Sequence, residues 1–359
     1  NVQSRALSKK SKDFMRALGA KFGAIGMVYG LRDSYLSWRL RRGLTSRVDV
    51  FLAKMFPDTL IVRLSHHLAH AWATLPFMSD LTTKRLIFTL DGAGDGLSGS
   101  INLFDKGGVT RIHSFPMSAS VGLLYCAVVD ILGMTRNEHE FKVMGLAPYA
   151  KAASGEKVYQ QLKKLVWFDK ERMTFVSSIP LEKATAYLVA NDFHQYRFDS
   201  LAYGVQKLTE ECMQDMVRAA VEKYGITDIA VGGGVFMNVK ANQYLLTMPE
   251  ITSLTIVPSC GDESLAIGAA VYGYSKSATH AVSGLKKIEH LYLGSSYEDN
   301  EIQAAINDFD FAQKCNVVYF NPATEEKQSE MKSLLSEISD LVSIMKHVAY
   351  AITRSPSLE

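Results

Sequence analysis

"DIAVGGGVFMNVKANQYLL", residues 228–246, passes from a short apolar, β-branched stretch through three glycines into a segment with helical spacing. Its plan returns in "LTIVPSCGDESLAIGAAVYG", residues 254–273, as strand, polar turn and small-residue helix. This alternation predicts an α/β fold around a core sheet. In such folds ligand-binding groups gather at the C-terminal ends of strands. Gly232, Gly233 and Gly234 read either as a structural turn or as a place where a nucleotide meets the backbone, with the helix N-terminus favouring phosphate. The turn is neither G-x-G-x-x-G nor a P-loop, because no Lys-Ser/Thr follows. Asn238 and Asn242 fall on one helical face, as partners of a base or ribose or as solvated residues.

Upstream, residues 198–224 form a long amphipathic helix stopped by Gly225. "SVGLLYCAVVDILGM", residues 120–134, reads as a buried helix, with Cys126 an inert core thiol. Further back, "RLIFTL", residues 85–90, is a continuous apolar run and a buried strand. It ends in "DGAGDG", residues 91–96, and "SGSINLF" resumes as the second strand of a hairpin. Gly92, Gly94 and Gly96 leave backbone N–H groups open to an anion, although a plain hairpin turn also favours Asp and Gly. Asp91 and Asp95 together exceed what a turn needs, and a metal–phosphate site would use both.

"VRLSHHLAHAWATL", residues 62–75, holds three of the nine histidines. We read a short strand over residues 58–64 and then a helix capped by Ser65, with Leu64, Leu68, Ala71 and Leu75 on its apolar side. His66 and His70 are four apart and share a face, while His67 points elsewhere. The pair is either bonded to neighbours or shares a cation. Asp262, at the turn before the second helix with Glu263 beside it, is an N-cap or the carboxylate closing that cation site. In "EFKVMGLAPYA", residues 140–150, read as a loop or helix end, Lys142 meets an anion in a catalytic role or sits in solvent.

Composition narrows the class. The chain has 359 residues, 47% hydrophobic and 21% charged, with a net charge of +2. That suits one large or two ordinary globular domains and gives no general drive toward nucleic acid or membrane. The first fifty residues carry eleven Lys or Arg against three acids, a basic helical segment with a solvated face. Four scattered cysteines form neither a zinc knuckle nor a disulfide framework, which points to a reducing cytoplasm. No apolar run reaches membrane-spanning length, and "FGAIGMVYGL" lacks a signal-peptide cleavage pattern. After about residue 280 the pattern weakens, and residues 321–352 read as one polar-to-amphipathic helix.

Five segments in order, "SHHLAHA", "DGAGDG", "EFKVMGLAPYA", "GGGVFMNVKAN" and "PSCGDESLAIGAA", resemble the NodU/CmcH O-carbamoyltransferases. The resemblance runs from about residue 60 to 296, where "HLYLGSSY" looks like the exit from the domain. It implies an actin–hexokinase-type (ASKHA) two-lobed α/β domain with mixed sheets, followed by a helical C-terminal tail. Implied boundaries are a basic helical segment over 1–59, a nucleotide- and metal-binding carbamoyltransferase domain over 60–280, and a linker with tail over 281–359. The implied reaction joins carbamoyl phosphate and ATP into carbamoyladenylate, then passes the carbamoyl group to a hydroxyl of a small molecule or sugar. In the family a divalent transition metal (iron, zinc or manganese) is held by residues matching His66, His70, Asp91 and Asp262. Segments matching Asp91–Asp95 and the glycine turn with Asn238 line the nucleotide.

Three departures accompany the resemblance. The family's initial phosphate-binding hairpin with its histidine does not precede residue 60, and the arginine- and glycine-rich signature of the adenylate-forming domain does not follow residue 296. The histidine helix continues with Trp72, Ala73 and Thr74 where the family has Ser-Ala. The expectation is most of the central domain, incomplete in activity alone and compatible with a homodimer. Rival readings are the related transferase of threonylcarbamoyladenosine on tRNA, which usually carries an acidic residue where Cys126 falls, and a non-catalytic nucleotide-binding protein.

Overall fold

In the computed structural model the described residues are 48, 50–57, 59, 61–106, 108–276, 282–291, 294–308, 317–320 and 350–353. The basic segment read over 1–47 lies outside them, while residues 50–55 are helical and largely exposed. The strand expected at 58–64 is not seen among the described residues: 61–65 carry no regular secondary structure, and 58 and 60 lie outside the described residues. The chain divides into two compact units after Leu291. The Ile288 N–H donates to the Pro76 carbonyl (2.8 Å), within the first unit.

The first unit opens with helix α1 (His66–Ala73), followed by strands β1 (Arg85–Gly94), β2 (Leu97–Asp105) and β3 (Gly108–Pro116). Helices α2 (Val121–Ile131), α3 (Glu140–Leu146) and α4 (Ala152–Leu162) lead to a small hairpin, β4 (Val166–Asp169) and β5 (Thr174–Ser177). Then come α5 (Ala184–Ala190), the long α6 (Phe198–Tyr224), β6 (Asp228–Gly232), α7 (Val239–Leu246), β7 (Ser253–Ile256) and α8 (Ser264–Lys276). The main sheet has the order β3-β2-β1-β6-β7. Antiparallel pairing joins β1 to β2 and β2 to β3, whereas β1–β6 and β6–β7 are parallel. Apart from the β4–β5 hairpin, the described residues of this unit hold no second sheet, so the expected second lobe is not seen among them.

Layering follows from strand alternation. On one face of β1, Leu86, Phe88 and Leu90 join the main core with α2, α4 and α6. On the other, Ile87 packs with Trp72 and Leu75 near α1 and Val271 of α8. Both faces are covered, which is why Leu86, Ile87, Phe88 and Leu90 are all apolar, while the buried Thr89 hydroxyl is hydrogen-bonded. The helix α6 ends where Gly225 adopts the left-handed conformation (φ 65°). The small residues of α8 have a structural cause: a Cβ on Gly268 would lie 1.8 Å from the Ala69 carbonyl oxygen, so only glycine lets α8 sit against α1. That approach carries the start of α8 onto the histidines.

The second unit, by itself, contains α9 (Asp299–Asp308) and a parallel pair, β8 (Val317–Phe320) with β9 (Tyr350–Thr353). The helix expected over 321–352 ends differently, since its last three residues lie in β9; residues 321–349 lie outside the described residues.

Candidate metal centre

Helix α1 is not amphipathic: His67, Ala69, His70, Ala71, Trp72 and Ala73 are all buried, because α8 and the sheet enclose it. Ser65 occupies the N-cap without capping through its side chain; its hydroxyl accepts from Arg111. The cap comes from the far side of the hairpin, where Asp95 Oδ2 accepts the His66 backbone N–H (2.9 Å). The second aspartate of "DGAGDG" therefore braces the histidine helix.

His66 and His70 face each other with Nε2 atoms 3.1 Å apart. Asp91 Oδ2 lies 3.3 Å from the first and 3.2 Å from the second. Asp262 Oδ1 completes the group at 3.5 and 3.6 Å from the same two nitrogens. The four ligand atoms lie within 4.8 Å of one another. Orientation is set from behind. Asp91 Oδ1 accepts the Gly92 N–H (2.6 Å), turning Oδ2 to the histidines. Ser264 Oγ lies 3.1 Å from His70 Nδ1, so a proton on Nδ1 leaves the Nε2 lone pair facing the cluster. Asp262 is the exposed member, with a 73% accessible side chain, against 0% for His70.

The donor set fits a divalent cation. Nitrogen and oxygen ligands about 2.1 Å from a common tetrahedral centre stand about 3.4 Å from one another, which matches the spacing here. Two imidazole nitrogens and two carboxylate oxygens share at most one proton per pair, whereas one cation serves all four. The charge balance agrees. Burial opposes protonation of His66, but Asp91, Asp262 and Asp95 outweigh it and raise its pKa. Burial likewise works against the charge on Asp91, yet hydrogen bonds from His66, His70 and the Gly92 N–H hold its carboxyl well below the usual range. His67 differs from its neighbour: fully buried against Thr89 Oγ1 (3.2 Å), it has its pKa pushed down to about 4 by burial.

A cavity of about 680 Å³ adjoins the cluster, lined by Asp91, Gly92, Gly234, Asn238 and Asp262 with Tyr125, Cys126 and Phe141. Burial and the neighbouring Glu140 push the Cys126 thiol up to about 12, in line with an inert thiol. Not every expected residue reaches this cavity. Lys142 is exposed on α3 beside the Phe141 ring and is not among the lining residues. Asn242 is buried and donates to the Phe236 carbonyl (2.6 Å), bracing the turn rather than meeting a base. Gly94 makes room for the His66 ring, which a Cβ would meet at 2.1 Å. Gly96 takes the left-handed hairpin position (φ 79°). Gly232 packs on the His70 carbonyl, and a Cβ on Gly233 would meet the Leu90 carbonyl oxygen at 2.3 Å. Ser264 and Gly268 escaped the motif reading. Both sit in the "SLAIGAA" run, where repeated small residues signal close helix contact.

The fold and the cluster define an α/β domain with an imidazole–carboxylate centre at the C-terminal ends of its strands. Residues 14–271 match the family described as Carbamoyltransferase N-terminus, and the chain belongs to that family. It is 28% identical over 281 residues to the uncharacterized protein MJ1058 of Methanocaldococcus jannaschii, covering 74% of this chain and 46% of that one. With the nodulation protein NolNO of Sinorhizobium fredii the identity is 31% over 215 residues, covering 58% of this chain and 30% of the relative. The nodulation protein NolO of Bradyrhizobium diazoefficiens is 27% identical over 215 residues, covering 58% and 38%. The matched part is thus less than half the length of these relatives. A crystal structure of HypF from T. kodakarensis superposes with a TM-score of 0.37 at 14% identity, over 64% of this chain and 38% of that one. No described helix is long and apolar enough to cross a membrane.

Proposed function

We propose that this chain carries the transfer site of an ATP-dependent O-carbamoyltransferase, acting in the cytoplasm on a hydroxylated small molecule or sugar. The observation that carries this reading is the convergence of His66, His70, Asp91 and Asp262 beside the cavity, in a chain of the carbamoyltransferase family. The cavity is of a size that accepts a nucleotide-sized ligand. Carbamoyladenylate, made from carbamoyl phosphate and ATP, is its proposed occupant. The order of the mixed sheet is offered as the core of an actin–hexokinase-type domain.

In this reading His66, His70, Asp91 and Asp262 hold iron, zinc or manganese, all of which accept mixed nitrogen and oxygen ligands. Such a cation supplies Lewis-acid polarisation of a carbamoyl or phosphate oxygen. The protein's part is orientation. Asp91 aligns the histidines, Gly92 and Gly234 keep the backbone close to the ligand, and Asn238 offers it a hydrogen bond. The acceptor oxygen bonds to the carbamoyl carbon as the bond from that carbon to the phosphate oxygen breaks. AMP departs with that electron pair, and the hydroxyl proton passes to solvent water.

The test supplies preformed carbamoyladenylate with a panel of polyols, nucleosides and sugars, and follows AMP release and carbamoylated product by mass spectrometry. Wild type is expected to accelerate release, and Asp91→Asn to remove the acceleration. Equal release with both proteins would reject the reading.

A further inference from the structure

A buried amide pair beside the cavity gives Asn238 a fixed polarity. Gln206, on the inner face of α6, is 5% exposed and uses its whole hydrogen-bonding capacity. Its Nε2 donates to Glu210 Oε1 (2.7 Å) and to Asn238 Oδ1 (3.0 Å). Its Oε1 accepts from the Tyr125 hydroxyl (3.0 Å) and from Asn238 Nδ2 (2.8 Å). Two N–H groups and two lone pairs are thereby matched.

An amide can turn over by 180° only where its neighbours accept both orientations. Here they do not. Glu210 Oε1, as a carboxylate oxygen, accepts and cannot donate. The Tyr125 hydroxyl can donate or accept and follows the orientation that Glu210 sets. At the far end of the pair, Asn238 Oδ1 also accepts the Ala241 backbone N–H (3.0 Å), the N-cap bond of α7. Anchors at opposite ends therefore dictate the same orientation. Asn238 keeps one side-chain N–H without a protein partner among the described residues, and it lines the cavity. Its carbonyl oxygen is fully engaged.

We infer that Gln206 is a positioning residue, locking Asn238 as a donor so that the occupant of the cavity must place a hydrogen-bond acceptor against it. The inference rests on the nucleotide reading above and deepens it: the matching atom is an acceptor of the purine or the ribose. Gln206 belongs to no recognisable motif and lies 32 positions before Asn238 in the middle of a helix.

Calorimetry on the full chain decides it, with ATP and four analogues each lacking one acceptor: 3-deaza-ATP, 7-deaza-ATP, 2′-deoxy-ATP and 3′-deoxy-ATP. Gln206→Met keeps the shape and removes the clamp, with circular dichroism and melting as controls of folding. ATP is expected to bind Gln206→Met about tenfold more weakly than wild type, the range of one well-placed hydrogen bond. One analogue should bind wild type about tenfold more weakly than ATP does and lose nothing further in the variant, the non-additivity of two changes to one bond. Glu210→Leu removes the acceptor that orients Gln206 and should shift the same analogue ratio in the same direction; it decides the matter if Gln206→Met does not fold. A folded variant that preserves every wild-type analogue ratio overturns the inference alone. Failure of wild type to bind ATP overturns the nucleotide reading and this inference with it.

Discussion

The glycine-rich turns at the ends of β1 (91–96) and β6 (232–238) look interchangeable in sequence, and the structure separates them. In the first, the glycines admit another side chain: Gly94 lies under the His66 ring. Its carboxylates are already engaged, Asp91 with both histidines and Asp95 with the backbone of α1. In the second, Gly233 admits another backbone, that of Leu90, at φ 98°. What this turn presents to the cavity is an amide, Asn238. The contrast shows that a glycine run after a strand is not by itself a phosphate cradle: here the packing of α1 and β1 requires glycine before any ligand arrives.

Gly233→Ala presses hardest on this contrast. The Cβ meets the Leu90 carbonyl and the positive φ adds strain, so denaturant unfolding should show a loss of roughly 3 kcal/mol, with or without ATP. Unchanged stability with lost ATP affinity would restore the phosphate-cradle reading. Gly94→Ala acts on the other turn. There the Cβ displaces the His66 ring, and metal affinity is expected to fall about 100-fold, the upper end for disturbed ligand support, with a smaller change in melting temperature. Metal binding at wild-type affinity would show that the ring has another place to stand.

Ser264→Ala removes the hydroxyl behind His70 and should weaken metal binding about tenfold. A competition titration with a chelator reads it directly. The smallest effect separates the two aspartates of the first turn. Asp95→Asn weakens the cap on α1 and should cost about 1 kcal/mol in unfolding while metal content stays at the wild-type level. Metal loss in Asp95→Asn would make Asp95 a ligand after all.

The parts legible in the sequence are those governed by local spacing. The four-residue interval of His66 and His70, the uninterrupted apolar run of β1 and the strand–turn–helix plan around residues 228–273 each reflect one element's own geometry. What escaped depends on distant contacts. Ser264 meets His70 across 194 positions, and Asp95 caps a helix that precedes it by 29. The same limit explains Asn242, where helical spacing suggested a free face and the Phe236 carbonyl occupies it. Lys142 stands within a motif whose neighbours Glu140, Phe141 and Met144 line the cavity, but its own position on α3 turns it to solvent. At the C-terminus, helical periodicity gave no sign of β9, because a parallel strand pair is decided by its partner, β8, some thirty residues earlier.

The central claim is that α1 and the strand ends build a cation site, and elemental analysis of the purified chain tests it most directly. Wild type, loaded with iron, zinc or manganese and then desalted, is expected to retain close to one equivalent of metal. The His66→Ala, His70→Ala double variant, folded by circular dichroism, is expected to retain almost none. Equal metal content in the two proteins would contradict the account.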